Sequence, residues 1–355
     1  IKITQFRKEF SKYPEHFEFR LLHTGQHYDK NMSQVFFEQL KLQEPDYYMG
    51  IQAGHPADQM GRIISGLVPI IQAYQPNLIM VVGDVNSTFA AALAANKFGI
   101  KIAHVESGLR SRYRDMPEEI NRILTDEITD IYFITEQEAR ENLEAEGRAA
   151  EKMFFVGNTM IDTLVAFDDA IQESPILEKL NVSPQQYVLM TMHRPRNVDT
   201  KEQLLKLIKL IKYVTSRTKV VIPIHPRTRN RLVQFNLWDT FQQIPDLVIT
   251  EPLGYLDFQK LISQSKFVLT DSGGIQEETT FRQVPCLTLR PSTERPITVT
   301  LGSNELIDFD LDKLKEKIDS IENGTFKKGS IPPMWDGQAT KRIVASLKEK
   351  FYKES

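Results

Sequence analysis

Carboxylates, histidines and arginines in this chain stand where apolar runs stop. In FVLTDSGGIQEETT, residues 267–280, an apolar run gives way to Asp271, Ser272, Gly273 and Gly274, then to Gln-Glu-Glu. One reading is that the glycines let the chain turn. The other is that bare backbone N–H groups at a helix start, aided by the helix dipole, hold an anion. Glu277 and Glu278 would stabilise a helix with no ligand present. A carboxylate one turn in also accepts ribose hydroxyls, and that combination favours a nucleotide over free phosphate.

Other strand ends repeat the theme. VVGDVNST places Asp84 before Asn86, Ser87 and Thr88, where an Asx-turn with an N-cap competes with a general acid or base. HVESGLRSRYRDMPEEINR carries Glu106 inside a strand-end run, with Arg110, Arg112, Arg114 and Arg122 as candidate partners. A carboxylate is costly there unless paired or used. Pro117-Glu118-Glu119 reads as helix positions N1 to N3, which gives Glu118 a structural reading beside a catalytic one. TMHRPRN presents His193 and Arg194, able to neutralise a leaving pyrophosphate. IHPRTR repeats the idea with His225, Arg227 and Arg229, and RPSTERP adds Arg290 and Arg295. Four of the seven histidines, His23, His104, His193 and His225, stand at strand ends. No HExxH, CxxC, Walker loop, GxGxxG or GxSxG is present, so no metal site, cofactor or nucleophilic triad is expected.

These residues need elements to position them. β-rich runs occur at FEFRLLHTG, NLIMVVGD, IKIAHVES, IYFIT and MFFVG, then at YVLMTMH, KVVIPIH, LVITEPL, FVLTDS and PCLTLR. Helical stretches lie between them, such as NSTFAAALAANKFG and ITEQEARENLEAEG, the latter with Thr135 as candidate N-cap. Strands apolar on both faces and alternating with helices predict parallel sheets covered on both sides. Two such sets predict an α/β protein of two doubly wound, Rossmann-like domains facing a cleft. The boundaries are placed at residues 1–165 and 166–336, with a hinge in 166–183 and a closing helix, 337–355, crossing back to the first domain. The length of 355 residues agrees, since single cores stop growing near roughly 250–300 residues. A net charge of −3 argues against a nucleic-acid surface. One cysteine, Cys286 in VPCLTL, reads as a core residue of a protein from a reducing compartment. With no bilayer-length apolar run and no signal peptide, the expectation is a cytoplasmic protein without a membrane partner.

HTGQH, VVGD…ST, HVESGLRS, MPEEINRILTD, VGNTMIDTL, MHRPRN, IPIHPRTR, EPLGYLDF, LTDSGGIQEE, VPCLTLR and TERP occur in an order and spacing that resembles the non-hydrolysing UDP-N-acetylglucosamine 2-epimerases, across essentially the whole chain. The resemblance implies the two-Rossmann-domain architecture shared with one large class of glycosyltransferases, usually as a homodimer. It implies C2 epimerisation of a UDP-sugar by elimination of UDP to a 2-acetamidoglucal and re-addition. The residues matching the catalytic set are Asp84, Glu106, Glu118 and His193. Ser272, Gly273, Gly274, Glu278, Arg194, His225, Phe258, Arg295 and Lys2 match the substrate-binding set, Phe258 packing on uracil. Gln26, His27 and Arg62 match an allosteric site, but Asp29 and Ile63 stand where glutamines are expected and weigh against activation. MHRPRN has Pro-Arg where many members have Arg-Glu. The family's opening strand and its Gly-Thr-Arg-Pro-Glu motif would precede Ile1, so a trimmed sequence is expected. Alternatives are a C2 epimerase of a related sugar such as a UDP-2,3-diacetamido-uronic acid, for which Arg112, Arg114 and Arg196 are candidate contacts, and a hydrolysing epimerase. A glycosyltransferase and a non-catalytic UDP-sugar sensor are more distant ones.

Overall fold

The computed structural model describes residues 1–25, 39–40, 42–52 and 54–352; Gln26, His27 and Asp29 lie outside them. The chain forms two compact units, Ile1–Ala166 with Pro333–Ser355, and Phe167–Pro332. The strands are β1 Leu22–His23, β2 Tyr47–Tyr48, β3 Leu78–Val82, β4 Lys101–Val105, β5 Ile131–Ile134 and β6 Met153–Phe155, then β7 Tyr187–Thr191, β8 Lys219–Pro223, β9 Leu247–Thr250, β10 Phe267–Thr270, β11 Cys286–Thr288 and β12 Asn304–Leu306. In the first unit β3-β4-β5-β6 form a parallel sheet and β1-β2 a parallel pair. The second unit has a six-stranded parallel sheet in the order β12-β11-β10-β7-β8-β9. Counted from β7, that is the 3-2-1-4-5-6 order of doubly wound nucleotide-binding sheets.

Both faces of the second sheet are buried, as the continuous apolar runs required. Val188 and Met190 of β7 join Ile222, Leu269 and the helix Lys201–Thr215 in one core. Their neighbours Tyr187 and Leu189 join Val221, Val268 and Cys286 in the other. Cys286 is a core residue, its thiol pushed up to about 11 by burial. In the first unit, Ala103 and Val105 of β4 pack with Ile343, Val344 and Leu347 of the C-terminal helix Ala339–Phe351. Ile102 faces the other way, onto Ala92 and Ala95 of the helix Asn86–Lys97.

Two local expectations need correction. The helix Gln137–Ala145 takes Glu136, not Thr135, as N-cap; Thr135 instead gives its carbonyl to the indole N–H of buried Trp335 at 3.2 Å. The helix at Asn86 is preceded by Val85 as N-cap, with no side-chain cap bond.

The C-terminal helix is anchored across the chain. Asp162, 3% exposed, accepts the backbone N–H groups of Ala339 at 2.9 Å and Thr340 at 2.6 Å. These are orphan donors of a helix start, met here by a side chain 177 and 178 residues distant. Asp162→Ala strands them, and the expected loss is about 1–2 kcal/mol, the scale of a lost N-cap. Urea unfolding checks this: a midpoint within error of the parent would show that the helix is held by its apolar face alone.

Candidate active site

In the first unit the site is built from the turns after β3 and β4. Gly83 leaves β3 with φ +75°, which glycine adopts without strain. Asp84 follows, and its Oδ2 takes Arg122 Nε at 3.0 Å and Nη2 at 2.7 Å. The same guanidinium, 2% exposed, donates Nη1 to Glu119 Oε2 at 2.6 Å. Glu119 also accepts the Ser111 N–H and hydroxyl and the Arg112 N–H, at 2.8, 3.0 and 2.8 Å. Asn121 donates to the Asp84 carbonyl at 3.0 Å.

Glu106 follows β4 with φ +70°. A non-glycine residue held there stores about 1–3 kcal/mol of strain, a frequent mark of functional positions. Its carboxylate is 2% exposed, and Lys2 Nζ sits 2.6 Å from Oε2. None of the four arginines offered as partners by the sequence pairs with Glu106 in a described contact. Arg110 goes to Asp126 and Glu146, Arg112 to Asn142, and Arg122 to Asp84 and Glu119. Lys2 Nζ also lies 3.5 Å from where a Cβ on Gly83 would sit, so it borders both carboxylate-bearing turns. Glu118 begins the helix Pro117–Glu127 as expected, but it is exposed and makes no side-chain hydrogen bond or ion pair among the described residues.

Beneath these turns His104 is wholly buried. Its Nδ1 faces Asp126 Oδ1 at 2.7 Å and its Nε2 the Gly83 carbonyl at 2.8 Å. Asp126 Oδ2 accepts Gly108 N–H at 3.0 Å and lies 2.7 Å from Arg110 Nη1. Burial alone would raise the Asp126 carboxyl, but His104, Arg110 and Gly108 outweigh it and hold it below the usual range.

In the second unit, sheet growth reverses between β7 and β10, and ligands of doubly wound sheets bind beyond the carboxyl ends at such a point. The loops there are bound together by Asp271, 0% exposed. It accepts the N–H groups of His193 at 3.1 Å and Arg194 at 2.8 Å, Asn197 Nδ2 at 3.1 Å, and His193 Nδ1 at 2.9 Å. Those donors outweigh burial and hold Asp271 below its usual range. With Nδ1 facing Asp271, the half-exposed His193 ring turns its Nε2 away from that carboxylate. His225 lies beside it, ring centroids 5.2 Å apart. Its Nδ1 accepts the Arg227 N–H at 3.1 Å, and its pKa is drawn down by burial first and by the charge of His193 second.

Ser272 is the N-cap of the helix Gly273–Arg282, without a side-chain cap bond. A Cβ at Gly273 would come 2.7 Å from Glu294 Oε1, so a side chain there would have to displace the Glu294 carboxylate. Arg295 is buried in ion pairs with Glu277 and Glu294, both at 2.7 Å, and Arg290 reaches Glu294 at 2.8 Å. This neutralised cluster forms a wall behind the glycine turn. Phe258 is partly buried against the core that contains Ile275. Glu278 is 5% exposed. Arg62 forms a surface pair with Asp58 at 2.7 Å. Among the described residues no helix is long and apolar enough to cross a membrane, and no cluster could hold a metal ion.

The structure therefore gathers Lys2, Asp84 and Glu106 in one unit, and His193, Arg194, His225 and Ser272–Gly274 in the other. Sequence reasoning missed Glu119, Asp126 and Asp271 as organisers. For Glu119 and Asp126 the legible signal was 119, 122 and 126, a polar stripe spaced as one helical face.

Two parallel-sheet units covered on both faces define an α/β protein of two Rossmann-like domains. A family model described as UDP-N-acetylglucosamine 2-epimerase matches residues 8–348, and the chain belongs to that family. It is 40% identical over 335 residues to the UDP-N-acetylglucosamine 2-epimerase of Methanocaldococcus jannaschii, covering 93% of this chain and 91% of that one. It is 39% identical over 331 residues to the UDP-2,3-diacetamido-2,3-dideoxy-D-glucuronate 2-epimerase of Pseudomonas aeruginosa, covering 92% and 90%. The crystal structure of the M. jannaschii UDP-GlcNAc 2-epimerase in complex with UDP-GlcNAc and UDP superposes with a TM-score of 0.88 at 38% identity, over 98% of this chain and 96% of that one.

Glu278 gives a pH prediction. Its carboxyl is pushed up to about 7, chiefly by burial, with the charge of Glu277 adding to it. An unfolded glutamate titrates near 4.3, so between about 4.3 and about 7 the folded chain holds a proton that the unfolded chain has lost. This group's contribution to stability therefore falls as pH rises through that window and is level above it. Glu278→Gln removes the slope, so thermal midpoints of variant and parent should diverge in the variant's favour across the window. A gap that is constant with pH would contradict the assignment.

Proposed function

We propose that this chain interconverts UDP-N-acetylglucosamine and UDP-N-acetylmannosamine by eliminating and re-adding UDP. The C2–H is not acidic enough for simple proton abstraction. Instead the C1–O bond breaks, UDP departs with the electron pair, C2 loses its proton to a carboxylate, and the 2-acetamidoglucal forms. Delivery of a solvent-derived proton to the opposite face of C2 by the other carboxylate, and of the β-phosphate oxygen to C1, completes the reaction without net hydrolysis. Glu106 and Glu118 are assigned the proton exchange at C2, and Asp84 supports the positive charge developing at C1. His193, held by Asp271, serves the departing pyrophosphate, with Arg194 and His225 beside it. The turn Ser272–Gly274 receives phosphate and Glu278 the ribose.

The observation that carries this reading is Glu106, a buried carboxylate held in left-handed backbone against one lysine. Strain of that kind persists only where the surroundings impose it. Support for UDP-N-acetylglucosamine as the sugar nucleotide comes from the relatives, several of which are UDP-N-acetylglucosamine 2-epimerases and one of which was crystallised with UDP-GlcNAc and UDP.

Incubation with UDP-N-acetylglucosamine, followed by the anomeric proton signals, should yield UDP-N-acetylmannosamine. Free N-acetylmannosamine with UDP would establish a hydrolysing enzyme instead. Glu106→Gln should lose about a hundredfold or more in turnover, the scale of general acid–base catalysis, with UDP affinity unchanged. A variant within a few-fold of the parent would remove Glu106 from the chemistry.

A further inference from the structure

We infer that His104, which touches neither turn's carboxylate, is a doubly protonated imidazole that positions Asp84 relative to Glu106. The inference rests on the reaction proposed above. His104 lies in β4, paired in register with Val81 of β3 and Tyr132 of β5, so it occupies the middle of the sheet. Its two ring nitrogens face the Asp126 carboxylate and the Gly83 carbonyl. A carbonyl oxygen only accepts, and so does an ionised carboxylate. Both nitrogens must therefore donate. The charged groups around the ring agree: Asp126 from the helix Pro117–Glu127, and behind it Arg110, which balances the second oxygen of Asp126. From β5, Tyr132 gives its hydroxyl to the Asp126 carbonyl at 2.9 Å, fixing the end of that helix.

The connections of this clamp give it a function beyond packing. Nε2 holds the carbonyl of Gly83, the residue immediately before Asp84. The chain of His104 itself leads, two residues on, into Glu106 with its positive φ. Asp126 binds the N–H of Gly108, just past Glu106. One imidazole thus ties the Asp84 turn, the Glu106 turn and the helix that carries Arg122, the cation on Asp84. A proton can be shuttled productively only at fixed spacing, and displacement of about 1 Å costs on the order of a hundredfold in rate. His104 is therefore a positioning residue.

Two substitutions divide the clamp. His104→Gln places its amide nitrogen near the former Nε2 and keeps the bond to Gly83. His104→Asn places its amide nitrogen near the former Nδ1 and keeps only the bond to Asp126. Both remove the charge and should lower the unfolding midpoint to similar extents. The expected result is that His104→Asn loses about a hundredfold in kcat at nearly unchanged KM, whereas His104→Gln stays within several-fold of the parent. Equal losses in the two variants, in step with their stability, would overturn the positioning role. Nitrogen-15 spectra of histidine-labelled protein, assigned by the signal missing in His104→Gln, should show both ring nitrogens protonated. One unprotonated nitrogen would overturn the clamp. A parent chain inactive on UDP-N-acetylglucosamine would sink the proposed function, and the nitrogen spectrum would then still decide the state of His104.

Discussion

A carboxylate taken out of water must be met by donors, or it cannot remain charged. Much of this structure follows from that constraint. Glu119, Asp126, Asp162 and Asp271 are all buried, and each accepts at least one backbone N–H from a chain segment other than its own. Glu119 shapes the loop at Ser111 and Arg112, and Asp126 fixes the turn after Glu106. Asp162 anchors the closing helix, and Asp271 joins the two loops at the switch point of the second sheet. Removing any one carboxylate frees several donors, not a single contact; for Asp126 these are one amide, an imidazole and a guanidinium.

The same group answers oppositely when donors are few. Asp271 and Glu278 both lie in the second unit and are nearly inaccessible, yet one is held below its ordinary range and the other is raised to about 7. Asp271 has two backbone amides, an imidazole and an asparagine around it. At Glu278 burial comes first, and the like charge of Glu277 works against the relief that Gln259 and Arg282 offer. An ionised Asp271 can hold an imidazole in orientation. A carboxyl poised near neutrality can exchange hydrogen bonds with a ligand's hydroxyls in either protonation state.

The architecture was legible because parallel strands buried on both faces leave continuous apolar runs, and because loops after those strands collect the polar residues. The strands Tyr47–Tyr48 and Asn304–Leu306 were not, since two or three residues carry no periodicity. The partner of Glu106 was not either. Local spacing offered four arginines, whereas the partner is Lys2, 104 residues away and brought near only by the fold. The pair Glu118-Glu119 shows a related limit. Adjacent helical residues point about 100° apart, and the phase that turns Glu119 inward and leaves Glu118 exposed depends on the tertiary position of the helix. Asp271 stood in plain view before the Ser-Gly-Gly turn, but its task became visible only once β7 was known to lie beside β10.

In the proposed reaction the C1–O bond to UDP breaks and re-forms while UDP stays bound. Positional isotope exchange tests this most directly. UDP-N-acetylglucosamine carrying oxygen-18 in the bridge between C1 and the β-phosphorus is incubated in D2O. If elimination occurs, the freed β-phosphate rotates, the label spreads to non-bridging positions, and deuterium enters C2 of the recovered sugar nucleotide. An epimer that forms with all of its label still in the bridge would mean that the bond never opened, and the account would be wrong.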